Sequence, residues 1–334
     1  MKATGIFAKE SLKRIVTAAT IATVIGVSSL AQAAEIKLRM SAIASATDQR
    51  AVAMTEVFAP AIASFANFEG HWNSSLFKQG TEIEAIARGN LEMTITSAQE
   101  LAEFFPEFSI FSAGYVHRDA EHQKRVFAAD FMSPLKQKVE DELGIKLLSV
   151  MYLGRRHVNL RTEQDVKTPA DLAGVKLRMP GSDAWQFLGR ALGANPTPMA
   201  FSEVYTALQT GAVDGQDNPL PTDKDAKLYE VTKQIVLTSH LVDLNYIAIS
   251  NKVWNELTAA QQATLQQAAD DAAESGRQKQ LKLETDLVQF FKDQGLKVYE
   301  PDLKAFQTTV QAAYLNSDYS KAWTPGMLDK INAL

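Results

Sequence analysis

The sequence predicts an α/β protein of two lobes, each built on a sheet covered by helices. Three observations predict it. Residues 35–152 pass from strand-like to helix-like segments in a β-α-β-α-β rhythm, and the rhythm resumes between 168 and 218. A helical pattern then runs from Thr258 to about Gln294. At 1.5 Å per residue it spans roughly 54 Å, long enough to brace two lobes. Lobe 1 is expected over 34–157 with the return of residues about 250–300. Lobe 2 is expected over 158–249 with part of the C-terminal helices, and 300–334 reads as a C-terminal extension.

The elements follow in order. Glu35–Met40 alternates as a first strand, Asp48–Phe65 carries Ala, Val and Met at helical spacing, and Trp72 closes a second strand. Thr81 and Glu84 have the spacing of a capping box, in which each side chain satisfies the other's orphan amide. That helix ends at Gly89, and Leu91–Ile95 is the next strand. Residues 118–143 read as one charged amphipathic helix stopped by Gly144, before a buried strand over Ile145–Tyr152. Thr168-Pro169-Ala170-Asp171 starts a helix, with proline at its first position and an acid in the first turn. The run Val175–Met179 alternates and is stopped by Pro180-Gly181, which leaves Arg178 at the strand's end. Ser182 caps a helix ending near Gly193, Asn195–Pro198 turns the chain, and Ser202 caps a helix stopped by Gly211. Val213 begins a short strand that runs into Asn218, and Asn245–Ser250 returns toward lobe 1. Thr258 and Gln261 start the long helix, with Ser275-Gly276 as the place for a kink and Gly295 as its stop.

The chain has 334 residues and no cysteine, which excludes disulfides, thiol catalysis and thiolate metal sites. Lys2, Lys9, Lys13 and Arg14 precede the apolar run Ile15–Leu30 and the small-x-small site Ala31-Gln32-Ala33. This is the pattern of a cleaved secretory signal peptide over 1–33. Its removal takes four basic residues and Glu10 from totals of 34 basic and 39 acidic, leaving a net charge of −8. Such a charge does not suit nucleic acid or anionic lipid as a partner. None of the five histidines has metal-ligand spacing, and no nucleophile elbow, Walker loop or dinucleotide fingerprint occurs. No metal, cofactor or catalytic residue is therefore expected.

What remains is a carboxylate site. Arginine carries a rigid donor fork that matches a carboxylate, and strand ends of open α/β sheets face the ligand crevice. Arg178 ends its strand, Arg156 follows the strand ending near Tyr152, and Asn218 brings an amide donor at the end of another. The three converge if those strands are neighbours in a parallel sheet. Phe201 offers an apolar wall, and Trp185, Trp72 and Tyr115 are further aromatic candidates.

Gly174-Val-Lys-Leu-Arg178-Met-Pro180, with Leu192-Gly-Ala-Asn-Pro-Thr-Pro-Met-Ala-Phe201 and the run Ser202–Pro219, resembles the solute-binding proteins of tripartite ATP-independent periplasmic (TRAP) transporters. The likeness covers essentially the whole mature chain and is most specific between 154 and 221. It implies a two-lobed periplasmic-binding-protein fold, type II-like, that closes on a small organic acid. The acid would pass to the small and large membrane permease subunits, and the receptor would work as a monomer. In that family the arginine matching Arg178 clamps the ligand carboxylate, and the residues matching Asn218 and Phe201 touch ligand. A second arginine is placed at Arg156, with Arg155 and Arg161 as alternatives because the spacing is two residues longer here. Lobe 1 departs from the sialic-acid binders. Phe77-Lys78-Gln79-Gly80 replaces an acidic loop, and Ser97 stands where those proteins carry glutamate, so Lys78 and Ser97 join the candidate ligand contacts. A sugar acid such as a uronate is the favoured ligand, then a C4-dicarboxylate or 2-oxo acid. The alternatives are a receptor that signals to a membrane sensor and an exported sugar-acid lyase or hydrolase with His71 or His157 as base.

Overall fold

A computed structural model describes residues 36–334; the expected signal peptide lies outside them. Its strands are β1 (Ile36–Ser41), β2 (Ala66–His71), β3 (Met93–Ser97), β4 (Ile145–Leu160), β5 (Lys176–Met179), β6 (Asn195–Pro198), β7 (Gly215–Pro219), β8 (Gln234–Ser250) and β9 (Lys297–Tyr299). They form one sheet in the order β2-β1-β3-β8-β4-β7-β5-β6, with β9 on β8.

The two central strands hold the architecture. β4 has 16 residues and β8 has 17, and they run antiparallel for nearly their whole length. At about 3.3 Å per residue each spans roughly 50 Å. β3 pairs with the Asn245–Ile249 end of β8, whereas β7 pairs with the Arg156–Leu160 end of β4. The carboxyl end of β3 therefore meets the centre of β4 and β8 from one side, and those of β7 and β5 meet it from the other. Register shifts at Tyr152/Gly154 and Arg156/Val158 fall in this central stretch, where bulges bend a strand and increase its twist.

One helix braces both halves. Ala259–Asp293 is a single α-helix of 35 residues, opened by the Thr258–Gln261 capping box and unbroken at Ser275-Gly276. Its early face, Leu265 to Ala273, packs on Leu38, Met40, Phe58 and Ile62. Further along, Leu287 and Phe291 pack with Leu220 and Ile235. The C-terminal segment joins the main core, where Phe306, Val310 and Ile331 are fully buried.

Several expectations are corrected. β4 continues through Gly154-Arg155-Arg156 to Leu160, so Arg156 lies within a strand and not after it. β7 runs parallel to β5 but antiparallel to β4, so the three site strands are neighbours in a mixed sheet. Residues 118–143 form two helices, Ala120–Ala128 and Ser133–Leu143, because Pro134 starts the second and a 3-10 turn joins them. The helix expected at Pro169 is one 3-10 turn, Pro169–Leu172, although its capping box forms. Asn195–Pro198 pairs with β5 at the sheet edge, where only one side must donate to a ladder and proline is tolerated. Thr81 precedes Glu82–Ala87 without a side-chain cap, since its hydroxyl donates to Lys78 O instead. Ser182 and Ser202 do not cap either; Phe201–Glu203 is a 3-10 turn ahead of the helix Val204–Thr210.

Candidate functional site

The strand ends enclose a cleft of about 560 Å³ of atom-free space, part of it open to solvent. Arg156, Arg178, Trp185, Phe201 and Asn218 line it from the side of β5 and β7, and Gln79, Glu82, Ile95, Ser97 and Glu100 from the side of β3. Arg50, Asp243 and Asn245 complete the floor.

Arg178 is the exceptional charge. Pro180-Gly181 ends β5 just beyond it, and its side chain is 1% exposed. Its Nε donates to Met199 O at 2.9 Å and its Nη2 to Gln79 Oε1 at 3.4 Å. Both acceptors are neutral, and among the described residues no carboxylate forms an ion pair with it. The Phe201 ring centroid lies 5.7 Å from the guanidinium carbon. Burial pushes the Arg178 guanidinium down to about 9; Asp217 offsets part of this and Arg156 adds to it. The group stays charged at neutral pH, and a buried cation without a counter-ion is costly. An anion placed in the cleft would remove that cost.

The other two arginines of the cleft are already paired. Arg50 donates to both Asp48 oxygens, at 2.9 and 2.7 Å, and to Asn245 Oδ1 at 2.9 Å. Arg156 reaches Asp217 Oδ2 at 2.7 Å and Asp243 Oδ2 at 2.9 Å, and its guanidinium carbon lies 4.4 Å from the Trp185 ring centroid. Burial opposes the charge on Arg156, but Asp217 and Asp243 outweigh it and raise its pKa. Asp217 is held well below the usual carboxylate range because Arg156 and His240 overcome the penalty of burial. Arg156 thus supplies fixed positive charge behind the cleft with most of its donors engaged. Arg155 donates to Arg118 O, and neither it nor Arg161 lines the cleft.

Asn218 is oriented from behind. Its amide donates to Gln216 Oε1, and Gln216 donates to Asp223 Oδ1 at 2.8 Å. Thr222 on the same wall has a buried hydroxyl with no hydrogen-bond partner among the described residues. Ser97 reaches the cleft, but its hydroxyl caps the next turn by accepting from Glu100 N at 3.1 Å. Lys78 is exposed and does not line the cleft; its neighbour Gln79 turns inward and accepts from Phe201 N at 2.9 Å. Trp72 packs on the core beside Phe68, and Tyr115 lines a different hollow.

Arg50, Gln79, Glu82, Glu100, Asp243 and Asn245 were not anticipated. Glu82 and Glu100 look in sequence like ordinary first-turn acids, and Arg50 like a surface residue after a capping aspartate. None of the five histidines lines the cleft. His157 accepts from Ser239 N, and burial pushes its imidazole down to about 3, so it is not poised as a base.

The chain was compared with known proteins. Residues 49–321 match the model of the bacterial extracellular solute-binding protein family 7. The sialic acid-binding periplasmic protein of Vibrio cholerae is 33% identical over 236 residues, 71% of this chain and 73% of that one. A TRAP periplasmic solute-binding protein from Roseobacter denitrificans, solved with bound 3-deoxy-D-manno-oct-2-ulosonic acid, is 66% identical with a TM-score of 0.89. The likeness covers 90% of this chain and 99% of that one. Another from that organism, solved with L-galactonate, has 27% identity and a TM-score of 0.81, covering 90% of this chain and 98% of that one.

Proposed function

This chain belongs to the bacterial extracellular solute-binding proteins of family 7, the TRAP transporter receptors, and we propose that it captures a hydroxylated sugar acid in the periplasm. The single observation that carries the reading is Arg178, a fully buried guanidinium at a strand end with only neutral partners. The ligand carboxylate takes the place of the missing counter-ion. Asn218, fixed by Gln216, donates beside it, and the Thr222 hydroxyl gains the partner it lacks. Phe201 and Trp185 wall the sugar chain, while Arg156 adds attraction without leaving its aspartates.

The first candidate ligand is 3-deoxy-D-manno-oct-2-ulosonic acid, because a protein 66% identical over 90% of this chain was solved with it bound. This candidate is a 2-oxo sugar acid, whereas the sequence favoured a sugar acid such as a uronate and then a C4-dicarboxylate or 2-oxo acid. The receptor binds without chemistry and delivers its cargo to the small and large permease subunits.

Closure brings the two walls together over the ligand. The lobes divide as 34–157 with about 250–300, and 158–249 with part of the C-terminal helices, and the bulged centre of β4 and β8 is the hinge. Gln79 bridges to Arg178 and Phe201 when closed. The Asp225 carboxylate likewise accepts from Ser45 and Thr47 across the proposed lobe boundary. Isothermal titration of the purified mature protein tests the reading. Micromolar or tighter binding of the octulosonic acid is expected, while binding of neutral hexoses with no response to any sugar acid overturns it.

A further inference from the structure

The cleft has a second pole, opposite in charge to the first. Glu82 is 6% exposed, lines the cleft, and takes part in no ion pair among the described residues. Backbone N–H groups at Gly80, Thr81 and Glu82 itself are what favour its charged form. Glu100 lines the same wall and is occupied differently, since its Oε2 accepts from Ser97 N and Thr96 Oγ1, each at 2.9 Å. The charges that act on Arg178 are those of Asp217, Arg156 and Glu203, and Glu82 is not among them. The other charged groups that line the cleft are Arg50, Arg156, Arg178 and Asp243, of which Arg50 and Arg156 already hold aspartates. Glu82 and Glu100 thus line the same wall, and neither forms an ion pair among the described residues.

Resting on the receptor reading above, we propose that Glu82 reads the hydroxylated end of the ligand as a neutral acid. Its O–H donates to a ligand hydroxyl, its other oxygen accepts from one, and with Glu100 beside it the wall rejects a second anionic group. The cleft thereby selects monocarboxylates with a polyol tail over dicarboxylates and sugar phosphates. Burial and Glu100 push the Glu82 carboxyl up to about 8, in keeping with a protonated side chain at neutral pH. With Glu82 neutral, the repulsion comes from the Glu100 carboxylate beside it; a second anionic group brought against that desolvated like charge costs several kcal/mol, so discrimination against it is strong.

Calorimetric titration tests this with 3-deoxy-D-manno-oct-2-ulosonic acid, L-galactonate and the matching dicarboxylate galactarate. Wild type is expected to favour galactonate over galactarate by at least ~30-fold. Glu82→Gln, which keeps a neutral donor and acceptor, stays within about threefold of wild type at pH 7, and Glu82→Leu loses about tenfold or more. From pH 7 to pH 9 the wild-type affinity falls by about tenfold as Glu82 ionises and by about a further twofold as Arg178 begins to lose its proton near 9, and Glu82→Gln leaves only the smaller Arg178 part of the slope. The proposal is overturned if Glu82→Leu binds as wild type does, or if wild type is flat to pH 9 and takes galactarate as well as galactonate. Should Glu82→Leu not fold, the Glu82→Gln and pH arms decide alone. If wild type binds no acid, the receptor reading itself has failed. If acids bind and Arg178→Ala abolishes binding while the Glu82 variants are silent, only the Glu82 assignment falls.

Discussion

Replacing Arg178 by alanine should remove high-affinity binding. Burial brings this guanidinium from 12.5 to about 9. At ~1.4 kcal/mol per pH unit, that corresponds to a penalty on the order of 5 kcal/mol for holding the charge there. Met199 O and Gln79 Oε1 are its two acceptors, so most of its five donors await an anion. A carboxylate seated there recovers the penalty and adds charge-assisted hydrogen bonds. Truncation leaves that carboxylate desolvated and unpaired, a loss of about 2–5 kcal/mol, or roughly 30- to several-thousand-fold in affinity. Arg178→Lys should fall between, because a point charge does not reproduce the fork. The assay is calorimetric titration with the octulosonic acid, with melting temperatures as a control for folding. The truncation also removes a buried, unpaired charge, so the ligand-free Arg178→Ala protein should melt no more than a few degrees below wild type. Binding by Arg178→Ala within a factor of three of wild type refutes the assignment.

Further outcomes follow from the surroundings of the cleft. Asp217→Ala leaves the buried Arg156 with only Asp243, and should cost about 3–5 kcal/mol of stability, read as a lowered denaturation midpoint. Gly154 has φ +130, and a Cβ there would stand 2.6 Å from Pro219 Cβ and 2.7 Å from Glu284 Oε1. Gly154→Ala should therefore destabilise by about 1–3 kcal/mol and disturb closure, read by calorimetry and ligand off-rates. His117 and His157 are both pushed down to about 3 by burial. The unfolded chain binds those protons first, so stability is full above about pH 6.5 and falls as the pH drops toward 3, by on the order of 2 kcal/mol per histidine at pH 5. Melting curves between pH 7 and 4 check this, and His157→Gln should reduce the slope.

Some of this design was legible in the sequence because local rules govern it. Alternation stopped by Pro180-Gly181 places Arg178 at a strand end, and the Thr258–Gln261 box starts the long helix where expected. The aromatic residues Phe201 and Trp185 likewise reach the cleft. What was hidden depends on partners far along the chain. Gly154-Arg155-Arg156 reads as a loop because the bulges of β4 break its alternation, yet β8 pairs with it throughout. The aspartates that engage Arg156 lie 61 and 87 residues away, so its occupied state has no local signature. A one-residue difference in loop direction puts Gln79 inside and Lys78 outside. Glu82 has the composition of a solvated first turn, and only the approach of the β3 wall buries it beside Glu100.

The most direct measurement is a crystal structure of the mature protein with 3-deoxy-D-manno-oct-2-ulosonic acid. The carboxylate should accept from Arg178 at ~2.7–2.9 Å, with Asn218 beside it and the hydroxylated tail running toward Glu82. A carboxylate seated against Arg50 or at the Glu82 wall, with Arg178 still bonded only to Met199 and Gln79, would contradict the clamp.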